Sequence, residues 1–308
     1  MCLVTYSNKN KYSSLKKIEM FQANPSPLWA YIEITNSCAH KCKWCYQGPD
    51  HMHSTHMSEY DYSNILRKLK YLGIYQITLT GGEPLDHPNF EMMVKLADSF
   101  GFMIHIVTNG DKINPKILKM LKQYNVTQIQ FNFQGYKWHD FIHGVSSFSG
   151  LIGKIKIAKD FGFEIVVTTV AGRYNYDDLE QIMFEAHISG ADRIRIWDVI
   201  GQPDLLGNVD IKEMFKKTQR IATNLGYHHT VSYDPEVEGD IQIPCVAMEG
   251  MFLYIRVDGS QGWCCVGDEV RLGNWFYDEA DELLNNYLVY SKEMKKQYVG
   301  KCPAREVK

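Results

Sequence analysis

The sequence predicts an α/β protein, a (β/α)6 partial barrel followed by a small C-terminal α+β module, and three observations lead there. Short, β-branched apolar runs recur through the first two thirds of the chain, and each ends in a polar or glycine-bearing loop. Segments of helical spacing separate them. Near residue 226 the alternation stops, and a hairpin signal followed by one helix-like stretch takes over.

The runs are WAYIEIT at 29–35, ITLT at 77–80, IHIV at 104–107, IQFNF at 129–133, EIVVTTV at 164–170 and IRIW at 194–197. Their loops open with the cysteine cluster, GGEP, TNG, QG, AGRYN and DVIGQP, so chemistry is expected at the C-terminal ends of the strands. Between them, Ser58 is an N-cap for Ile65, Leu66, Leu69 and Leu72, which recur on one side until Gly73. Asn114-Pro115 reads as a cap followed by proline at the first helical position. Further helices are expected around 147–161, 177–189 and 210–225, ending near Gly162, Gly190 and Gly226. DGSQG at 258–262 reads as the turn of a hairpin, and 276–298 as a final helix. The division is therefore an N-terminal extension over 1–28, a core over 29–226 and a C-terminal module over 227–308.

The chain has 308 residues, 45% hydrophobic, which is enough for one large core with an appendage. A net charge of −3 gives no footprint for nucleic acid. No apolar run approaches the roughly 20 residues that cross a bilayer, and the first residues lack a secretory signal, so a cytoplasmic protein is expected. Three of the eight cysteines crowd into 38–45, which suits metal thiolates in a reducing compartment better than disulfides.

Cys38, Cys42 and Cys45 form a CxxxCxxC motif directly after the first run. Three soft thiolates can surround one metal centre, and a cubane iron-sulfur cluster held by them keeps one iron open. Structural zinc, recruiting His40, His51, His53 or His56, is the competing reading of the cysteines alone. The following motifs favour iron. Gly81-Gly82-Glu83-Pro84 allows a backbone to turn closely around a ligand, and Thr108-Asn109-Gly110 closes the next strand. The combination resembles the radical S-adenosylmethionine (SAM) superfamily, and Trp44 matches the aromatic usual between the last two cysteines.

That resemblance implies a SAM-cleaving 4Fe-4S cluster on Cys38, Cys42 and Cys45, with SAM on the open iron. It carries contacts with the SAM amino group to Gly81, Gly82, Glu83 and Pro84, and a ribose or carboxylate contact to Thr108, Asn109 and Gly110. Arg195 alternates with Ile194 and Ile196, so it points opposite to them, into the barrel, toward a carboxylate of SAM or substrate. Arg173 and Asp198 are weaker candidates at strand ends, and Glu33 and Asn36 lie near the cysteine loop without a legible orientation.

Gln134-Gly135, His139-Asp140-Phe141-Ile142-His143-Gly144 and Ser147-Phe148 are similar to a stretch of the subgroup with SPASM or twitch auxiliary-cluster domains. Gln134 stands where that subgroup has an aspartate, and His143 where it has an arginine, so proton acceptance through position 134 is not expected. Cys245, Gly259 and Cys264 are spaced like the start of a twitch domain, and Cys302 completes the metal residues of a second iron-sulfur cluster. Arg305 falls where a fourth cysteine is usual, and Cys265 is one alternative ligand.

The implied reaction is reductive cleavage of SAM to a 5'-deoxyadenosyl radical that takes hydrogen from a substrate, with a flavodoxin- or ferredoxin-like protein as one-electron reductant. A ribosomally made peptide is the leading substrate class, with a separate protein recognising its leader. Oxidation of a small carbohydrate-like intermediate is the alternative, and a noncatalytic iron-sulfur scaffold a third reading.

Overall fold

The computed structural model describes residues 3–7, 27–48, 54–200, 202–232, 245–266 and 270–298. Cys302 lies outside the described residues. Six strands in sequence order form the centre of the sheet: β2 (Trp29–Thr35), β3 (Gln76–Gly81), β4 (Met103–Thr108), β5 (Val126–Asn132), β6 (Glu164–Ala171) and β7 (Arg193–Asp198). Each pairs parallel with the next, so all six C-terminal ends face one way. This is the expected partial barrel.

The two edges carry additions. The strand β1 (Leu3–Ser7) lies in the expected N-terminal extension and runs antiparallel to β7; β8 (His228–Ser232) pairs antiparallel with β1. On the other side β9 (Phe252–Ile255) pairs parallel with β2, and β10 (Gln261–Gly262) turns back against β9 as the expected hairpin.

Helices cover the outer face. They are α1 (Glu59–Tyr71), α2 (Phe90–Ser99), α3 (Pro115–Leu121), α4 (Gly135–His143), α5 (Leu151–Asp160), α6 (Leu179–Ile188), the short α7 (Pro203–Leu206), α8 (Ile211–Asn224) and α9 (Ala280–Gln297). Ser58 Oγ accepts the Asp61 amide at 3.0 Å, and Asn114 Oδ1 accepts the amides of Lys116 and Ile117 at 2.9 and 3.1 Å, so both expected caps form. The helix α2 was not among the expected elements. It buries Phe90, Met93, Val94 and Ala97, one face of a regular helix, and its N-cap Asn89 makes no side-chain capping bond.

Strand composition explains the position of the cavity. In β7, Ile194 and Ile196 are buried on the helix side, whereas Arg193, Arg195 and Trp197 line the lumen. Gln76, Thr78, Gln128 and Gln130 repeat this on β3 and β5. The outer face therefore packs as an ordinary core and the inner face stays polar, which keeps the lumen open to a ligand.

At the end of β3 two backbones meet where no side chain fits. Gly81 has φ +140°, and a Cβ there would lie 2.0 Å from the Thr35 carbonyl oxygen; at Gly82 it would lie 2.4 Å from that of Ser37. Gly82 N–H donates to Thr35 at 2.9 Å and Glu83 N–H to Ser37 at 2.8 Å, tying this turn to the start of the cysteine loop. Gly81→Ala is expected to lower stability by about 2 to 4 kcal/mol through combined overlap and backbone strain. Urea unfolding measures this, and an unchanged midpoint would contradict the close approach.

Candidate cofactor site

The cysteine loop leaves β2 and crosses the mouth of the barrel. The C-terminal end of α4 holds its far side: Lys41 N–H donates to the His143 carbonyl and Lys43 N–H to that of Ile142, each at 2.9 Å. The loop amides thereby satisfy carbonyls a helix end leaves open. Gly144, at φ +69°, turns the chain away directly beneath Lys41, where a Cβ would approach its carbonyl to 2.9 Å. Asp140 accepts the amides of Ser147 and Phe148 at 2.9 and 2.8 Å, so it shapes the following turn.

Cys38, Cys42 and Cys45 are half-buried, form no disulfide and line one cavity, and Cys38 Sγ accepts the His40 amide at 3.4 Å. Burial, with added repulsion from Glu83, Asp86 and Cys45, pushes the Cys38 thiol up to about 11. The Cys42 and Cys45 thiols are raised by burial first; the charges of Cys45 and Cys38 add to the shift at Cys42, and that of Glu33 at Cys45. Three thiolates so close are unstable unless a cation joins them. The donor set fits an iron-sulfur cluster with three protein ligands, since a fourth thiol is absent from the loop.

Beside the thiols, His40 Nε2 meets Asp111 Oδ2 at 2.8 Å, and His40 Nδ1 meets His143 Nδ1 at 3.0 Å. The ligand atoms of His40, Cys42 and His143 lie within 4.8 Å of one another and could also hold a metal ion. Asp111 fixes the first imidazole as its Nε2–H tautomer, and the second then donates through Nδ1–H. This histidine pair braces the loop from the position where the sequence departs from its resemblance.

The opposite wall is made by the ends of β3 and β4. Glu83 accepts from Thr108 Oγ1 at 2.7 Å, Asn109 N–H at 2.6 Å and Leu85 N–H at 3.2 Å. Its carboxylate is occupied in joining two loops, and Gly81, Gly82, Glu83, Thr108 and Asn109 line the cavity. Gly110 packs under this wall, where a Cβ would meet Leu151 at 2.7 Å. Pro84 is buried and starts a 3-10 turn, Pro84–Asp86. Trp44 lines the cavity with its neighbouring cysteines.

The cavity has a volume of about 570 Å³ and extends from the thiols down the lumen, within the range of sites for small cofactors. Gln134 is buried in its wall, its amide against the Val170 backbone and Asn175. Arg195 enters the lumen as its alternation predicts and donates to Gln130. Arg173 instead stacks on Tyr174, 4.8 Å from the ring centre. Glu33 is turned toward Tyr254 and Gln47, and Asn36 accepts the Thr55 amide at 2.9 Å. Burial raises Glu33 above the ordinary carboxylate value, although the hydrogen bonds from Tyr254 and Gln47 oppose the shift.

The lumen residues Tyr31, Gln130, Thr168 and Trp197 were missed from sequence, yet their signal was a polar or amphipathic side chain at every second position of an apolar strand. In the C-terminal segment Cys245 and Cys264 are buried and the charge of each would raise the Tyr287 phenol, which burial raises first, whereas Cys265 lines the main cavity. The adjacent Cys264 and Cys265 thiols hydrogen-bond to each other, which lowers Cys264 and raises Cys265.

A parallel barrel with a three-thiol loop at its mouth and a glycine-built wall opposite defines a metallocofactor-binding α/β protein. The chain belongs to the radical SAM superfamily, whose match covers residues 32–186. It is 25% identical over 178 residues to a PqqA peptide cyclase of Ruegeria pomeroyi, covering 56% of this chain and 47% of that protein. The chain thus spans about half the length of this curated relative. Among solved structures, Streptococcus suis SuiB bound to S-adenosylmethionine superposes with TM-score 0.69 at 15% identity, over 91% of this chain and 72% of SuiB. Native anSMEcpe with bound AdoMet gives TM-score 0.65 at 17% identity, over 87% and 83% of the two chains. These likenesses establish the fold.

Burial, opposed by the bonds from Asn109, Thr108 and Leu85, raises the Glu83 carboxyl from 4.5 to about 7. A group raised on folding holds its proton more tightly in the native state, so its contribution is full below 4.5 and is lost as pH climbs through about 7. The cluster-free native protein is expected to lose stability across that window more steeply than Glu83→Gln, read from urea midpoints. Parallel profiles would contradict this assignment.

Proposed function

We propose that this chain is a radical SAM enzyme acting on a ribosomally made peptide, with a 4Fe-4S cluster on Cys38, Cys42 and Cys45. The observation that carries this reading is that the three cysteines, none of them in a disulfide, and Gly81, Gly82 and Glu83 line one cavity. A cluster held by these cysteines would supply one electron to the sulfonium of SAM, whose carbon–sulfur bond would break to give methionine and a 5'-deoxyadenosyl radical.

The chain's own residues hold and shield. Carbonyls of the Gly81-Gly82-Glu83-Pro84 turn would accept from the SAM ammonium, and Trp44 would pack beside the cofactor. Asn109 lines the cavity with its Oδ1 accepting the Asp111 amide at 2.9 Å, so its side-chain NH2 would be the group that meets the ribose or carboxylate. The enclosing strands exclude water and adventitious hydrogen donors, which a primary carbon radical requires.

A peptide substrate is supported by the similarity to a PqqA peptide cyclase, and SuiB has been solved bound to precursor peptide SuiA. A separate leader-recognition protein and a flavodoxin- or ferredoxin-like reductant complete the proposed partners. The proposed organisation is a core over 29–226 with a C-terminal module over 227–308. Cys245 and Cys264, both buried, together with Cys302 would hold a second iron-sulfur cluster. No helix of the described residues is long and apolar enough to cross a membrane. Thiolate ligation favours a reducing, cytoplasmic setting.

Anaerobic reconstitution followed by iron, sulfide and 5'-deoxyadenosine assays tests this function. Native protein is expected to bind about eight irons and cleave SAM under a strong reductant, and the C38A/C42A/C45A variant to retain about four without cleavage. No 5'-deoxyadenosine from a filled, reducible native protein would overturn the enzymatic reading. Loss of all iron in the variant would overturn the second cluster.

A further inference from the structure

We propose that the lower lumen carries a carboxylate-binding pole centred on Arg195, and that the substrate places a glutamate-like acidic side chain there. This deepens the enzymatic reading above and rests on it for the meaning of substrate.

Arg195 projects into the cavity and donates to two neutral oxygens, those of Gln130 and Tyr31. Its Nε is buried without an acceptor. Among the described residues, no carboxylate pairs with it. Nearby acids are already occupied: Glu164 pairs with Arg193 at 2.8 Å, and Glu33 accepts from Tyr254 and Gln47. A guanidinium removed from water without a counter-charge is costly, and an incoming carboxylate offsets that cost by matching its planar fork.

The same wall holds a second unused donor. Trp197 stands two residues along the same face of β7, and its buried Nε1–H has no acceptor. Thr168, directly paired with Arg195 across the strands, also has a buried hydroxyl without a partner. Buried polar groups in native proteins are normally satisfied, so three such atoms on one cavity wall point to a missing acceptor.

Position separates this pole from the cofactor. Tyr31, the phenol bonded to Arg195, lies in the first half of β2, whereas the cysteine loop follows that strand's end at Thr35. Facing the pole, Phe252 meets the Tyr31 ring edge-on at 5.6 Å, and Met251 and Val246 extend an apolar surface. An anionic tip at the end of an aliphatic stem matches both surfaces.

The test uses unreduced, cluster-reconstituted, SAM-loaded protein, so it does not depend on SAM cleavage. N-acetylglutamate N-methylamide and its glutamine counterpart are titrated calorimetrically. The acidic probe is expected to bind native protein roughly tenfold or more tightly than the neutral one, and Arg195→Gln to erase that preference. Arg195→Lys, which keeps the charge but loses the fork, is expected to fall between them and remains informative if the glutamine variant does not fold. Equal binding of the two probes by native protein overturns the proposal. A SAM Kd that weakens in parallel with Arg195→Gln also overturns it, because the arginine then serves the cofactor's carboxylate.

Discussion

The site depends on a backbone contact that leaves no room for a side chain. Gly81 and Gly82 bring the end of β3 against Thr35 and Ser37, and the resulting amide bonds fix where the cysteine loop begins. Glu83 then fastens this turn to the end of β4 through Thr108 and Asn109. On the far side α4 receives Lys41 and Lys43 on its open carbonyls. Three thiols are consequently held by backbone contacts on two sides, while their side chains stay directed at one cavity. Such rigidity suits a metal centre whose reactivity depends on which coordination position stays open.

The barrel makes a second compromise. Its outer face is packed with Ile, Leu, Val and Phe, while its inner face keeps glutamine, threonine, histidine and arginine out of bulk water. Each inner polar group needs a partner, and many have one: Glu164 with Arg193, Gln128 with Glu164, Glu33 with Gln47. Arg195, Trp197 and Thr168, on two neighbouring strands, keep buried polar atoms without a partner. The lumen is therefore prepared for ligands in two places, at the thiol mouth and deeper along β7.

Most of the core was legible because buried parallel strands leave a simple trace, an apolar run ending in glycine or polar residues. Arg195 was legible for the same reason, since strand alternation opposes it to Ile194 and Ile196. The helix α2 escaped despite the regular spacing of Phe90, Met93, Val94 and Ala97, because its start follows a 3-10 turn and lacks a side-chain cap. The motif around His139 was visible as residues but not as a helix, since α4 begins with glycine and buries His139 and His143 alongside Ile142. The contact between His40 and His143 spans 103 positions and has no local signature. The strands β1 and β8 are short edge additions whose pairing is set by the sheet they join.

The central claim is that Cys38, Cys42 and Cys45 leave one iron open to the amino group of SAM. Electron-nuclear double resonance on the reduced protein with amino-15N-labelled SAM tests it directly. The account predicts a 15N coupling that replaces the 14N signal of unlabelled SAM and is lost in C38A/C42A/C45A. A reduced cluster whose spectrum does not change on adding SAM would contradict it.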